Sequence, residues 1–429
     1  MFKLFSLLHY LSLKLGLVDL SANFLVILVK RISKNNRRKV LVLGKPVFNE
    51  DVKGLISEGN KLDYLLLPKF FLDRYVEKYV SFHKKLNDAN YWPLMANSPE
   101  RAKLRKKMER VFKILLDKLN FDCILAGNFV YKSHQELFIA AKAINIPIFV
   151  IYKEGMIPPD RFHLSKERLY GTKKSFASMI FVYNEYIASM LSDAKIPGIK
   201  KNNLEIVGIP RFDLILKSEK KVSKRKSLKK IALFFFSEKN KSKYLVDSSE
   251  NLEEYEKRLY EFQKWFFDYA SLNKDIELII KTKTSASELN QISKYLKNLG
   301  YKNSFNNIKV ESKKTSIEVI EQSDVIAGYS STTLLEALLY GKPIIEPDLT
   351  DLEKIGSFNY FDNNANISNR IISKNSLFEL LDSFKNQIKF PDNDLVEKSL
   401  KPLIYQVDGN SSRRVESKII QFLEGSKNE

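Results

Sequence analysis

At 429 residues the chain is long enough for two domains with separate cores, and its 44% hydrophobic content excludes wholesale disorder. The formal charge of +20, from 71 Lys plus Arg against 51 Asp plus Glu, favours an anionic partner: nucleic acid, an anionic membrane surface or a phosphorylated substrate. No nucleic-acid motif supports the first, one cysteine excludes an intrachain disulfide, and four histidines scattered along the sequence give no zinc pattern.

Residues 1–36 form the first segment. MFKLFSLLHYLSLKLGLVDL is rich in Leu and Phe but interrupted by Lys3, His9, Lys14 and Asp19. The apolar run Ala22 to Val29 falls well short of the roughly 20 residues a spanning helix needs. Lys30, Arg31, Lys34, Arg37, Arg38 and Lys39 then cluster, with no clear signal-peptide pattern. The segment reads as one or two amphipathic helices on the inner face of the cytoplasmic membrane, anchored by that basic cluster. Packing on the protein itself is the alternative.

A first α/β domain is expected over residues 37–216. Lys39 to Leu43 (KVLVL), Leu62 to Leu67, Asp122 to Ala126, Ile146 to Tyr152 and Met179 to Tyr183 read as strands. Helices at Phe70 to Leu86, Glu100 to Leu119, His134 to Ile144 and Glu185 to Asp193 alternate with them, which argues for a parallel sheet covered on both faces. Cys123 lies in an apolar strand and reads as a core residue. After Tyr152 come Lys153, Glu154 and Gly155. A carboxylate there, at the carboxyl end of a strand, is placed to act as a base toward a hydroxyl, against the alternative of a solvated loop glutamate. The domain closes on Glu205-Ile206-Val207-Gly208-Ile209-Pro210-Arg211-Phe212-Asp213, where Gly208 permits a tight turn, Pro210 fixes the exit and Arg211 meets a phosphate, belongs to a hinge, or both.

Residues 217–230 are a charge run read as a basic linker, and residues 231–405 as a second α/β domain. Ile231 to Phe236, Ile276 to Ile280, Ile308 to Val310, Asp324 to Ala327 and Pro343 to Glu346 read as strands, and Leu252 to Leu272 as a helix with Trp265 and Phe266 in the core. The strand ending at Ala327 runs into Gly328-Tyr329-Ser330-Ser331-Thr332, and a helix follows with Leu334, Leu335, Leu338 and Leu339 on one face. Free amides of that helix's first turn and the neighbouring hydroxyls can hold a phosphate, with Glu336 in reach of a ribose. An ordinary capped helix explains the same residues. Asp392-Asn393-Asp394 is read as loop chemistry rather than a metal site, and no P-loop or dinucleotide fingerprint occurs. Residues 406–429 end in a helix from Arg413 to Leu423.

Four short segments carry a resemblance. Asp324, Ser330, Ser331, Glu336, Ala337, Leu338, Gly341 and Pro343 resemble the donor-binding stretch of bacterial surface-polysaccharide glycosyltransferases of the GT-B type, which build capsule, lipopolysaccharide and teichoic acid. The Glu205 to Asp213 segment is similar to their V-x-G-N-P-R-F-D, with Ile209 where Asn is usual. The Asp408 to Val415 segment is similar to their D-G-x-S-S-x-R-V. Lys281-Thr282-Lys283-Thr284 stands where K/R-x-H-P is usual, so Lys281 and Lys283 keep charge for a phosphate but no imidazole.

The resemblance implies an α/β fold of two Rossmann-like domains facing across a cleft. It implies a metal-independent transferase with no cofactor beyond a nucleotide-sugar co-substrate. Donor contacts would come from Lys281, Lys283, Gly328, Tyr329, Ser330, Ser331, Thr332 and Glu336. Glu154 would be catalytic, and Lys153, Gly155, Gly208, Pro210 and Arg211 would line the cleft. The expected reaction moves a sugar, such as a CMP-linked Kdo, to a growing surface polysaccharide or lipid-linked glycan. A CDP-glycerol glycerophosphotransferase, a sugar-nucleotide 2-epimerase and a non-catalytic membrane scaffold are the alternatives. Nucleic acid is not an expected partner; an anionic membrane surface is, with a cytoplasmic location.

Overall fold

The structure is a computed structural model describing residues 1–32, 38–45, 48–80, 99–157, 174–218, 225–236, 249–282, 286–300, 306–349 and 367–425. The chain divides into two compact units, residues 1–157, 162–217 and 402–429 in one and chiefly 218–401 in the other.

In the first unit, helices α1 (Phe2–Lys14) and α2 (Val18–Leu28) lead into strand β1 (Lys30–Ile32). Next come β2 (Lys39–Gly44), α3 (Asn49–Glu58), β3 (Asp63–Pro68), α4 (Phe70–Val80), α5 (Pro99–Leu119), β4 (Cys123–Ala126), α6 (Lys132–Ala143) and β5 (Ile148–Ile151). After them lie β6 (Met179–Val182), α7 (Glu185–Asp193), β7 (Leu204–Ile206) and α8 (Pro210–Leu216). The sheet order is β1-β3-β2-β4-β5-β6-β7, parallel except for β1. Its central strands are buried on both faces, which is why KVLVLG and CILA read as continuous apolar runs. Cys123 is one of these buried residues, and burial pushes its thiol far up.

The expected basic anchor falls only in part on the described residues. Lys30 and Arg31 form the antiparallel edge strand, and Arg38 is tied to Asp122 at 2.7 Å; Lys34 and Arg37 lie outside the described residues. Helices α1 and α2 pack on each other and α2 packs on α5. His9 of α1 is buried, its Nδ1 2.9 Å from the Ser21 hydroxyl, which also accepts from Tyr75 at 2.7 Å. Among the described residues no helix is long and apolar enough to cross a membrane.

In the second unit the elements are β8 (Lys230–Phe234), α9 (Ser249–Leu272), β9 (Glu277–Lys281), α10 (Ala286–Asn298), β10 (Ile308–Glu311), α11 (Ser316–Gln322) and β11 (Val325–Ala327). They continue with α12 (Thr332–Leu339), β12 (Ile344–Pro347), β13 (Ser368–Ile371), α13 (Lys374–Asn386) and α14 (Asn393–Ile404). The all-parallel sheet runs β10-β9-β8-β11-β12-β13. Phe262, Phe266, Phe267 and Tyr269 of α9 join the sheet's isoleucines in its core, with Trp265 half-buried beside them. Asp324 holds the start of β8 by accepting from the amides of Lys229 and Lys230 at 2.9 and 2.8 Å. Asp392 accepts from the Leu395 amide at 2.9 Å in the first turn of α14.

The last helix, α15 (Ser411–Gly425), belongs to the first unit. Asp213 takes the Ser411 and Ser412 amides at 3.1 and 2.6 Å, satisfying donors that a helix start leaves orphaned. Glu416 accepts from the Asn60 and Lys61 amides and from the Tyr64 hydroxyl, at 2.8, 3.0 and 2.7 Å. The helix is thereby fastened to the turn between α3 and β3.

Candidate functional site

Each sheet has a place where the strand order reverses, and open α/β sheets bind ligands outside the carboxyl ends of the strands there. In the first unit the reversal lies between β2 and β4, whose ends lead into Lys45 and into Gly127-Asn128. Glu154 arrives beside them from the end of β5. Its Oε1 accepts from the Tyr131 hydroxyl at 2.7 Å and from Asn128 Nδ2 at 3.4 Å, and lies 2.8 Å from Lys153 Nζ. The Lys45 ammonium sits 4.2 Å over the Tyr131 ring. Burial works to raise the Glu154 carboxyl, but the Lys153 ammonium and the Tyr131 and Asn128 hydrogen bonds outweigh it and hold the group below the usual carboxylate range. It is therefore an ionised carboxylate, and its side chain is 41% exposed.

Buried His134, near the start of α6, stands behind this cluster. Burial pushes its imidazole well below the ordinary histidine range, and the ammonium groups of Lys69, Lys45 and Lys153 push it the same way. Lys69 is itself bonded to Asp73 and to the Ser133 hydroxyl. Gly155 follows in the same short 3-10 turn, packed near Tyr183 and Ile187.

Gly208, Pro210 and Arg211 are held by packing, and Arg211 connects through Asp51 and Tyr183 to the neighbourhood of Lys153 and Gly155. Gly208 has a φ of +83°, and a Cβ there would stand 2.6 Å from the Ser411 hydroxyl. Pro210 opens α8, and its carbonyl lies against Gly54, where a Cβ would be 2.2 Å away. Arg211 turns to buried Asp51 at 3.5 Å and is mostly buried itself. Asp51 also accepts from the Tyr183 hydroxyl at 3.1 Å, and its carboxyl is raised by burial against the pull of Arg211. The arginine thus has a carboxylate partner in its own unit.

In the second unit the order reverses between β8 and β11, and Gly328 to Thr332 emerge from the end of β11 at that point. Ser330 takes a φ of +45°, a left-handed conformation uncommon for a residue with a Cβ. Ser331 is the N-cap of α12: its side chain accepts from the Thr333 amide at 3.4 Å and lies 2.8 Å from the Thr333 hydroxyl. Ser330, Ser331 and Thr332 are half-buried, and a Cβ added at Gly328 would meet nothing closer than the Leu334 side chain at 3.4 Å. Tyr329, named in the expected donor set, has its side chain buried in the core and paired with the Tyr255 hydroxyl at 2.6 Å. Glu336 is buried one turn into α12. Lys281, at the end of β9, bonds the Thr282 carbonyl at 2.5 Å, and its own carbonyl receives the Phe235 amide next to β8. Lys283 lies outside the described residues.

Sequence reasoning passed over Lys45, Asn128 and Tyr131. The Gly127-Asn128 pair directly after an apolar strand was a usable signal for the second, whereas Tyr131 and Lys45 required the strand order.

No family model matches the chain, and no curated protein sequence matches it. Solved structures do. A putative UDP-N-acetylglucosamine 2-epimerase from Listeria monocytogenes aligns over 91% of this chain and 97% of its own at 11% identity, with a TM-score of 0.50. Another UDP-N-acetylglucosamine 2-epimerase aligns over 92% and 98% at 13% identity, also at 0.50. A glycosyltransferase from Rickettsia africae aligns over 91% and 99% at 12% identity, with a TM-score of 0.46. At such identities the likeness is one of architecture: the chain has an α/β fold of two parallel-sheet, Rossmann-like domains of the GT-B class.

Proposed function

We propose that the chain is an enzyme acting on a nucleotide sugar, and that its reaction is glycosyl transfer to a surface polysaccharide or lipid-linked glycan. The observation that carries this reading is Glu154, an ionised carboxylate held at the reversal point of its sheet by Tyr131, Asn128 and Lys153. In the reaction proposed, the acceptor hydroxyl attacks the anomeric carbon, Glu154 takes its proton, and the sugar–phosphate bond breaks. The departing nucleotide carries the negative charge away. The second unit's contribution is the turn at Ser330 to Thr332, where helix-end amides and hydroxyls suit a phosphate, with Lys281 at the end of β9, two strands from β11. Lys283 is proposed as a second cation for the same phosphates, and a CMP-linked acid sugar such as Kdo as one donor to try.

Epimerisation at the sugar's C2 is the second reading, favoured by the overall likeness to the two 2-epimerases. The two part cleanly in one assay. Purified chain is incubated with UDP-N-acetylglucosamine or CMP-Kdo, with and without a glycan acceptor. Nucleotide release that depends on acceptor supports transfer, and C2 interconversion without release supports the epimerase. A thermal-shift screen against CMP, CDP, UDP and GDP runs beside it, because a ligand of the folded state alone raises stability. A shift with UDP alone would remove the CMP donor. Neither turnover nor any shift would discard both enzymatic readings in favour of a scaffold.

A further inference from the structure

Helix α1 carries its amphipathic character reversed. His9, Ser12 and Leu13 are its buried side, while Leu4, Leu7, Leu11 and Leu15, at i, i+3, i+7 and i+11, are 56%, 53%, 45% and 75% exposed. Leu17 and Leu20 extend the exposed leucines round the turn into α2. A helix facing water places its polar residues outward, and a continuous apolar stripe, unlike single exposed leucines, marks a surface that meets an apolar medium.

The charge beside the stripe comes from an element distant in sequence. Lys103, Lys106, Lys107, Arg110 and Lys113 share the face of α5 opposite its buried Leu104, Met108, Val111 and Leu115. A groove of about 590 Å³ lies between the α1–α2 turn and α5, and its lining joins Leu17 and Leu20 to Lys106, Lys107 and Arg110. Asp19, within it, is paired with Arg110.

We propose that this face docks on an anionic phospholipid bilayer. The leucine stripe enters the boundary between headgroups and acyl chains, and the groove takes an anionic headgroup against Lys106 and Arg110. Helices of 13 and 11 residues are too short to span and so lie flat. A second copy of the chain is a poorer occupant, because a self-complementary contact would set one basic stripe against another. The inference is independent of the proposed reaction.

The test is flotation of the full chain with vesicles of phosphatidylcholine alone and of equal parts phosphatidylcholine and phosphatidylglycerol. Flotation is expected with the anionic vesicles only and weakens as salt rises. A Leu4→Ser, Leu7→Ser, Leu11→Ser variant loses it, and a Lys106→Glu, Arg110→Glu variant loses affinity by about tenfold or more. The second variant changes exposed positions and carries the test if the first fails to fold. Absence of flotation by the unaltered chain, or equal flotation by the charge-reversed variant, would overturn the proposal. So would a dimer in light scattering that the leucine variant dissolves while no vesicle is bound.

Discussion

The two reversal points share a topology and differ in what they present. The first offers an ionised carboxylate braced by Lys153, Tyr131 and Asn128, with ammonium groups around a neutral His134 behind it. The second offers backbone amides and hydroxyls at the start of a helix, with a half-buried lysine ending the strand two positions away in the sheet. A carboxylate repels phosphate and can move a proton; a helix start attracts phosphate and cannot. On the proposed reading the same strand arrangement serves reaction in one unit and anion binding in the other.

Replacing Glu154 tests the division most severely. Glu154→Gln keeps the side chain's shape and is expected to reduce turnover by about 10²–10⁴-fold, while a nucleotide-induced thermal shift persists. Loss of the shift as well would erase the distinction between the sites. Asp213 caps α15, so Asp213→Ala should lower stability by about 1–3 kcal/mol in urea denaturation with turnover per folded molecule intact. Reduced turnover at unaltered stability would move that segment from scaffold to site.

The histidines give the division a pH signature. Burial lowers the imidazoles of His134 and His9, so below about pH 6.5 the unfolded chain binds protons that the folded chain refuses. Stability therefore falls on acidification through that range, by up to about 1.4 kcal/mol per pH unit for each histidine. Denaturation at a series of pH values should show a shallower slope for His134→Asn; an unchanged slope would mean His134 accepts its proton in the fold. The smallest expected change in stability belongs to Ser331→Asp. Asp caps helices as well as Ser, so stability should stay within about 0.5 kcal/mol, yet the added charge should abolish the nucleotide shift. A surviving shift would remove phosphate from this turn.

Much of the architecture could be read from residues alone, because strands buried on both faces leave unbroken apolar runs. KVLVL foretold β2 and MIFVY foretold β6 to within a residue or two. The edge strand β1 was hidden: Lys-Arg-Ile has no apolar run, and its pairing is set by register with Leu66, Leu65 and Tyr64. The serine turn was visible from Ser-Ser-Thr before a leucine-faced helix, whereas the inward turn of Tyr329 depends on Tyr255, far off in sequence. The Arg211–Asp51 pair was hidden for a similar reason, since nothing near Arg211 in sequence announces Asp51. Glu154 was picked from its place after a strand, but its hydroxyl and amide neighbours come from another strand's exit.

Tyr64 and Glu416 are 352 positions apart, and the second unit lies between them in the chain. During synthesis the inserted unit leaves the ribosome with all its strands while the earlier one still lacks α15. Until that helix is made, the surface it will cover on α3 and α8 stays open to the crowded interior of the cell. Nascent chains at that stage are natural clients for chaperones, and misassembly should begin there.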